Sequence, residues 1–457
     1  MGELSSVKQR RERGRSARRD MPRSALATLP PRPTAWDVWR ILDAPRGHHL
    51  ASLQPLRDAR MAKDALSFLR GAALLMTHDF VAGRSTPLSV TSCGDAHAAN
   101  FGLFASPERR DVFDVTDFDE ADVTPFEWDV KRLVASLAVA GQTRGFSSAD
   151  QQAIAQAAAK EYRLAMRRFA ELGRLAVWYS TLDVNVMATD VRGSFDASER
   201  KRLRRVLASM KVSDDRRAQA RFTSRDETPQ IVRSTTHFSS IEPRDETGMT
   251  PDDVAAIVRD YSASLDGGRQ ALLSQFTLVD VARHVVGVGS VGTECFAALL
   301  CGRDRDDVFF LQMKEAQPSA LATIRRMPAL DSDAHRVVRA QRILQATPDP
   351  FLGWTRRDID GEVRSFYVRQ LYDRRATIDL SMLSPELLAS YGRLCGWTLA
   401  RAHARAGEPA ELAGYLGKSS EFEEALARFA LAYRDRNQED FEAFLRGRPA
   451  TGGTVQS

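Results

Sequence analysis

The sequence lacks a long apolar run and contains few cysteines, and both absences limit the kind of protein it encodes. No stretch of about eighteen apolar residues occurs, and the N-terminus has no central apolar region after its charges. We therefore expect no membrane contact and a cytoplasmic location. The cysteines form no CxxC pair and no zinc-type spacing with histidine, so reduced structural thiols are expected at Cys93, Cys295, Cys301 and Cys395.

Positive charge is concentrated at the N-terminus. Residues 1–24 carry eight Lys or Arg against three acids, a net of +5, which equals the formal net charge of the whole 457-residue chain. The rest of the chain is therefore close to neutral. This composition predicts a disordered basic tail over residues 1–24, with nucleic-acid binding as the alternative use of its charge. Residues 447–457 are predicted to form a second disordered tail.

The length exceeds the size at which one hydrophobic core usually stops growing, so two lobes are expected. Helical periodicity is strongest in four segments, which are 62–82, 126–141, 150–174 and 385–445. Residues 187–250 predict an irregular connection, and β-type sequence begins at Phe276. The pattern therefore predicts an α+β protein with a helical lobe and a smaller, mainly β lobe.

The motif CGDAHAANFG lies between two β-prone runs and places an acid and an amide five residues apart on a tight loop. Phosphoryl transfer needs an acceptor for a hydroxyl proton and an oxygen ligand for magnesium, and Asp95 and Asn100 supply both. The alternative for Asp95 is an acid that caps a turn. His97 is interpreted as structural support for the loop rather than as a proton carrier, and Cys93 as a small packed side chain.

A second acidic cluster, TDFDE, follows the next β-prone run. Magnesium prefers a few hard oxygen ligands together with the phosphates of a nucleotide, so one carboxylate at a strand end is sufficient. We assign that role to Asp117. Asp119 is a candidate ligand of a second metal ion, and Glu120 is expected to be solvated. The alternative for the whole cluster is a solvated loop that binds no metal.

A glycine-rich segment with the pattern GxGxxG follows the β-prone run 281–286. Its backbone can approach a phosphate closely, and the predicted nucleotide contacts are Gly287, Gly289, Ser290 and Gly292. The segment before the next strand is too short for the crossover helix of a dinucleotide fold, which favours a hairpin over the phosphates, with Lys314 reaching them from the following strand. Two alternatives stay open: Glu315 as a ribose ligand in a dinucleotide fold, and Lys314 as a surface residue.

The order of motifs along the chain resembles the bacterial family known as domain of unknown function 2252, from about Ser16 to about Leu445. The matching landmarks are FLRGAA, CGDAHAANFG, DFDEADVTPFEWDVKRL, VVGVGSVGT, LQMKEA, FLGW, YVRQLYD, ARAHARAG and AGYLGK. That family is grouped with the protein-kinase-like superfamily, and the motifs are similar to those of aminoglycoside phosphotransferases. The resemblance implies a two-lobed kinase-like fold that is circularly permuted, because the acids precede the glycines and the lysine.

The resemblance also implies residue roles. Asp95 and Asn100 match the catalytic-loop acid and amide, and Asp117 matches the metal acid. Asp129 resembles the buried helix acid that accepts hydrogen bonds from the backbone of the catalytic loop, with an ordinary surface acid as the alternative. Gln370 and Leu371 resemble the kinase hinge segment, whose backbone groups receive adenine.

One departure from the kinase pattern concerns the partner of the strand lysine. Kinases pair that lysine with a glutamate from the next helix, and the family often has an acid where this chain has Arg339. Lys314 is therefore expected to form an ion pair with Asp117 or another carboxylate. Without such a partner, we expect a weakened nucleotide site.

These observations predict an ATP- and Mg²⁺-dependent phosphotransferase that acts on an unidentified small-molecule or protein hydroxyl. The expected division is a helical lobe over 25–250, a nucleotide lobe over 251–375, and C-terminal helices over 376–446 that pack on the helical lobe. Three alternatives stay open: transfer of AMP to a protein, nucleotide binding by a pseudokinase-type regulator, and nucleic-acid binding through the basic N-terminus.

Overall fold

The computed structural model describes residues 5–44, 50–183, 197–208, 210–213, 221–224, 226–233, 238–241, 248–284, 294–325, 332–371 and 375–447. The helices of the described part are α1 Val7–Asp20, α2 Val38–Leu42, α3 Gln54–Met61, α4 Ala65–Gly71, α5 Ala73–Ala82, α6 Glu127–Thr143, α7 Ser148–Phe169, α8 Arg174–Trp178, α9 Ala197–Ala208, α10 Pro251–Tyr261, α11 Gly267–Leu273, α12 Ala320–Arg325, α13 Asp333–Leu344, α14 Pro385–Ala406, α15 Pro409–Leu416 and α16 Glu421–Leu445.

The strands are β1 Ser89–Ser92, β2 Phe101–Ala105, β3 Asp111–Val115, β4 Asp122–Pro125, β5 Lys211–Ser213, β6 Phe238–Ser239, β7 Thr277–His284, β8 Cys295–Cys301, β9 Val308–Glu315, β10 Gly353–Ile359, β11 Glu362–Leu371 and β12 Arg375–Thr377. The predicted α+β class is confirmed. No helix of the described residues is long and apolar enough to cross a membrane.

Within the described residues, the strands form three antiparallel sheets. The largest has the order β10-β11-β9-β8-β7-β6, a second has the order β3-β2-β12-β5, and β1 pairs with β4 alone. The large sheet covers most of the segment expected to be β-rich. Two strands depart from the predicted division, because β6 precedes that segment and β12 leaves it to pair with β2.

One hydrophobic core joins the two ends of the chain. Its members come from α1, α6 and α7 and from the C-terminal helices α14 to α16. Phe126 stacks on Tyr162 and on Phe422, with ring centroids 6.1 and 6.4 Å apart. The six-stranded sheet has separate clusters on its two faces, one of them against α10 and the other around Phe310. Burial of these apolar faces is the main driving force that holds the helices on the strands.

The basic N-terminal segment, predicted to be disordered, instead contains helix α1. Its arginines find acids on α15 and beside it: Arg10 Nη1 lies 3.0 Å from Glu408 Oε2, and Arg13 Nε lies 2.6 Å from Glu411 Oε1. The helices also approach closely at Gly14, where a Cβ would stand 1.9 Å from the Glu411 carbonyl oxygen. The prediction of disorder was wrong because the acids that pair with Arg10 and Arg13 lie about four hundred residues later in the chain.

The helix predicted over 62–82 is interrupted at Ala72, so α4 and α5 are separate. At the break the carbonyl of Leu69 accepts a hydrogen bond from Arg132 Nη2 at 2.6 Å as well as one from the backbone of Ala72 at 3.2 Å. In the connection predicted to be irregular over 187–250, the described part contains α9, β5 and β6. The second predicted tail, after Gly447, lies outside the described residues.

Candidate functional site

The loop that follows β1 is held against the acidic loop that follows β3. Gly94 has φ +77°, and a Cβ at this position would stand 1.9 Å from the carbonyl oxygen of Glu120. Only glycine combines that backbone conformation with so close an approach. The two acidic motifs of the sequence therefore meet in space, and β1 pairs with β4 immediately beyond them.

Asp129, at the start of α6, fixes the backbone of the loop that follows β1. Its carboxylate accepts hydrogen bonds from the backbone N–H of Cys93 at 2.9 Å and of Gly94 at 3.0 Å. His403 Nε2 lies 3.1 Å from the same carboxylate, and His403 Nδ1 lies 2.9 Å from the Tyr162 hydroxyl. Asp129 is 1% exposed, so the surface-acid alternative is wrong. The contact is the one that the family resemblance implies for this residue.

Asp95 is paired with an arginine that the sequence pattern did not single out. Arg132 Nε donates to Asp95 Oδ1 at 2.6 Å, and Arg132 is buried. Burial raises the pKa of the Asp95 carboxyl, and the positive charges of Arg132 and Arg70 oppose that rise. Arg132 follows Asp129 by three residues on a helix, so the two share a face. The spacing of Asp129 and Arg132 in FEWDVKRL is the sequence signal that could have identified this arginine.

His97 and Cys93 are buried side chains of the Asp95 loop, and neither is activated for proton transfer or nucleophilic attack. The His97 Nε2 atom lies 3.7 Å from Asp95 Oδ2, which is too long for a hydrogen bond. Burial lowers the pKa of His97 well below its usual value, so its ring is neutral. The thiol of Cys93 donates to Asp129 Oδ2 at 3.2 Å, and burial raises its pKa well above the ordinary value.

Asn100 and Asp117 are brought together by strand pairing. The backbone N–H of Thr116 donates to the Asn100 carbonyl at 2.9 Å, and β2 and β3 continue the pairing from Phe101 and Val115. The side-chain amide of Asn100 donates through Nδ2 to the Asp95 carbonyl at 2.9 Å. This hydrogen bond fixes the amide plane and leaves Oδ1 as the group available to a cation.

Asp117 and Asp119 differ in how their oxygens are used. Asp117 Oδ1 accepts the backbone N–H of Asp119 at 3.2 Å, and burial, with the charge of Asp119 second, raises the pKa of Asp117. Asp119 forms an ion pair with Lys314, and its other oxygen accepts the Tyr367 hydroxyl at 2.7 Å. Burial acts to raise the pKa of Asp119, but Lys314 and Tyr367 outweigh it, so the net direction is downward.

The strand lysine thus pairs with Asp119 rather than Asp117. Lys314 lies on β9, is 4% exposed, and reaches a carboxylate 195 residues away in the chain. The surface alternative for Lys314 is therefore wrong. Glu120, expected to be solvated, accepts the backbone N–H of Ala320 at the start of α12 at 2.6 Å. The acidic loop is consequently tied to the six-stranded sheet and to the segment after it.

Helix α13 meets the acidic loop through arginine instead of an acid. Arg336 Nη1 donates to the backbone carbonyl of Asp119 at 3.0 Å and to that of Ala121. Arg339, one turn later, is exposed and lines a cavity of about 340 Å³ beside Asp122. The helix that follows the strand lysine thus fastens the acidic loop by its backbone, and the carboxylate partner of the lysine comes from that loop.

The predicted phosphate loop, with Gly287, Gly289, Ser290 and Gly292, lies outside the described residues. The strands on either side of it, β7 and β8, are antiparallel neighbours, and β8 pairs with β9 in the same way. This arrangement is a hairpin followed by the lysine strand, so the dinucleotide-fold alternative is wrong. Glu315, its ribose candidate, is buried and paired with Arg364, whose Nη2 lies 2.6 Å from Glu315 Oε2.

The candidate adenine hinge lies at the end of β11, where Gln370 and Leu371 pair with Leu311 and Phe310. The backbone N–H of Gln370 donates to Asp349 Oδ2 at 2.5 Å. This donor is therefore already used within the chain. Leu371 is buried at 8% exposure and packs in the cluster around Phe310.

The donors around the acidic loop suit a magnesium ion held partly by a nucleotide. No group of three His, Cys, Asp or Glu in the described part of the chain forms a closed metal site. Asn100 Oδ1 and the second oxygen of Asp117 are hard oxygen donors on adjoining strand ends, which is the ligand type Mg²⁺ takes when phosphates complete its shell. Asp119 serves less well, because both of its oxygens already have partners.

Comparison with known proteins places the chain in a family without adding an activity. No curated protein and no solved structure is detectably similar to it. The family match covers residues 49–447, nearly the whole chain. The predicted family membership is therefore confirmed, and this protein belongs to the bacterial family described as "Uncharacterized protein conserved in bacteria (DUF2252)".

Proposed function

We propose that this protein binds ATP with Mg²⁺ and transfers its terminal phosphoryl group to a hydroxyl acceptor, using a circularly permuted kinase-like fold. One observation carries the proposal: the strand lysine Lys314 is buried against the same loop that bears Asp117, and that loop contacts the Asp95 loop at Gly94. A buried lysine and two carboxylates from three separate segments thus lie close together, which supports the proposal because phosphoryl transfer requires a cation for the phosphates, a metal ligand and a base.

Each residue of the site has a proposed role that follows from its contacts. Asp95 accepts the proton of the acceptor hydroxyl while that oxygen forms its bond to the γ-phosphorus and the bond to the bridging oxygen of ADP breaks. Asn100 Oδ1 and Asp117 hold the cation, and Mg²⁺ when bound supplies positive charge to the phosphate oxygens. Lys314 contacts the phosphates from the sheet side. Catalysis then consists of positioning and electrostatic stabilisation.

A second candidate, nucleotide binding without transfer, is favoured by Arg132. The charge-assisted hydrogen bond from Arg132 at 2.6 Å occupies one oxygen of the Asp95 carboxylate, so that oxygen is less available to the proton of an acceptor hydroxyl. A regulator that reports nucleotide binding would tolerate that pairing. The two candidates make the same prediction for ATP binding and opposite predictions for turnover.

Titration calorimetry of ATP, with and without Mg²⁺, tests the binding half. Wild type should bind ATP in a Mg²⁺-dependent manner, and Lys314→Ala should weaken binding about tenfold or more because a charge-assisted contact to phosphate is lost. Asp117→Ala should remove the Mg²⁺ dependence. Lys160→Ala, which removes an exposed lysine of α7, is the matched control and should bind like wild type. If wild type releases no heat with ATP under either condition, the proposal is wrong.

Two labelled nucleotides test the transfer half. The protein is incubated with ATP labelled at the γ-phosphate or at the α-phosphate, alone and with a bacterial extract that supplies acceptors. Label from the γ position in a product supports phosphoryl transfer, and label from the α position indicates AMP transfer. Binding without either product, unchanged in Asp95→Asn, would establish the regulator instead.

A further inference from the structure

A cavity of about 400 Å³ lies beside the Asp95 loop. Four segments form its wall: helix α4 with the two residues before it, Ala99 of the loop itself, the C-terminal end of α6, and the end of β12 with the segment after it. Its charged lining residues are Lys63, Asp64, Arg70, Arg144 and Asp379. A cavity of this size accommodates a small metabolite.

No ion pair joins these cations to an acid in the described part of the chain, and the charges of Asp95 and Asp64 act on Arg70 only from a longer distance. Arg70 is partly buried, and its Nε atom is buried without a hydrogen-bond acceptor. Lys63 and Arg144 are exposed, and the guanidinium of Arg144 lies 5.8 Å from the centre of the Phe146 ring. A buried donor without an acceptor costs free energy, and a ligand oxygen would recover it.

The two carboxylates of the wall are already used as helix caps. Asp64 Oδ1 accepts the backbone N–H of Ser67 at 2.6 Å, at the start of α4. Asp379 Oδ1 accepts the backbone N–H of Ser381 at 3.1 Å and its hydroxyl at 2.6 Å. The three cations therefore exceed the two acids by one charge, and the acids are directed to the backbone.

One guanidinium connects this wall to the candidate base. Arg132 donates to the carbonyl of Leu69, the residue before Arg70, and to the Asp95 carboxylate, each at 2.6 Å. Ala99, which lines the cavity, immediately precedes the candidate metal ligand Asn100. A molecule in the cavity would therefore lie next to the loop that carries Asp95 and Asn100.

We propose that this cavity binds the acceptor, and that the acceptor is a small hydroxylated molecule carrying a phosphate or carboxylate group that Arg70, Lys63 and Arg144 recognise. The inference rests on the proposed function, because it names the substrate class of that site. The anionic group pairs with the cations, and the hydroxyl faces the Asp95 loop. A polyamine acceptor is disfavoured, since its charges would meet three of the same sign.

Binding of simple probes at low ionic strength tests the cavity without any nucleotide. Glycerol phosphate, glycerate and glycerol share a hydroxylated carbon chain and differ in their charged group, so ligand-observed NMR titrations of the three report which group is recognised. The two anions should bind and glycerol should not. Arg70→Gln should weaken anion binding about tenfold or more. Arg144→Gln, at an exposed position, should weaken it in the same direction.

Arg428→Gln is the matched control, because it removes an exposed arginine of α16 far along the sequence from the cavity. Anion affinity that is equal in wild type, Arg70→Gln and Arg144→Gln would overturn the inference, as would anions that bind no better than glycerol. A protein that binds ATP but no anion refutes the acceptor class alone. A protein that binds anions but no ATP refutes the proposed function, and with it the role of the cavity as an acceptor site.

Discussion

Removal of the Asp129 carboxylate is the perturbation whose cost the structure defines best. In Asp129→Ala, the backbone N–H groups of Cys93 and Gly94 lose the acceptor they reach at 2.9 and 3.0 Å. His403 Nε2 loses its neighbour at 3.1 Å. Water has little access to the Asp129 carboxylate or to the Cys93 N–H, because Asp129 is 1% exposed and Cys93 is 2% exposed, and the Gly94 N–H is partly buried.

The magnitude follows from the number of donors left without a partner. Each buried N–H that loses its acceptor costs about 1 to 3 kcal/mol, so the two backbone donors together predict a loss of about 2 to 6 kcal/mol in the free energy of unfolding. Asp129→Asn keeps one acceptor oxygen and presents N–H₂ to the other donor, and its loss should be about half as large. A Tyr162→Phe change, which removes only the hydroxyl bonded to His403, should cost about 1 kcal/mol.

Urea denaturation followed by circular dichroism measures these differences through the transition midpoint. Asp435→Ala is the matched control, because this aspartate is 61% exposed and its ion pair is with the neighbouring Arg434. Its expected effect is within about 0.5 kcal/mol of wild type. If Asp129→Ala unfolds within about 1 kcal/mol of that control, the carboxylate does not hold the loop, and the reasoning that places Asp95 by way of Asp129 is wrong.

Two further predictions concern the loop contact and a buried lysine. Gly94→Ala should destabilise the protein by about 3 kcal/mol or more, because its Cβ would stand 1.9 Å from the Glu120 carbonyl oxygen. Gly361→Ala is the control, since Gly361 has φ +85° with no atom within 4 Å of the added Cβ, and it should cost only the backbone strain of about 1 to 2 kcal/mol. Equal losses for the two variants in urea denaturation would refute the steric argument. Burial lowers the pKa of Lys131 to about 8. Between about pH 8 and pH 10 the unfolded chain therefore holds a proton on this lysine that the folded protein does not hold. The free energy of unfolding should rise with pH across this range by up to about 3 kcal/mol. Lys131→Met should lack this rise, and parallel pH profiles for the variant and wild type would contradict it.

Local sequence patterns predicted those features that depend on neighbouring residues. The helices α6 and α7 and the C-terminal helices follow from apolar spacing. Strands β1 and β3 follow from the β-prone runs before the Asp95 loop and before the acidic loop, whereas β2, directly after the Asp95 loop, was not predicted. The short connection after the glycines predicted a hairpin, and the antiparallel pairing of β7 with β8 agrees. In each case the interactions that decide the structure lie within about twenty residues.

The N-terminal segment shows where such patterns fail. A run rich in arginine has few apolar residues of its own to bury, so its composition predicts disorder. In the folded chain those arginines meet glutamates from the opposite end of the sequence, and α1 packs closely on α15 at Gly14. Only the tertiary structure brings the two charge patterns together.

By itself, the sequence determined the family, the α+β class and the identity of the acidic motifs, because motif spacing and periodicity are properties of neighbouring residues. Only the tertiary structure decided that Lys314 pairs with Asp119, that Arg132 pairs with Asp95, and that Arg70 lines a cavity. The physical reason is that an ion pair forms between whichever charges packing brings within about 4 Å, and packing is set by the burial of apolar faces far apart in the chain.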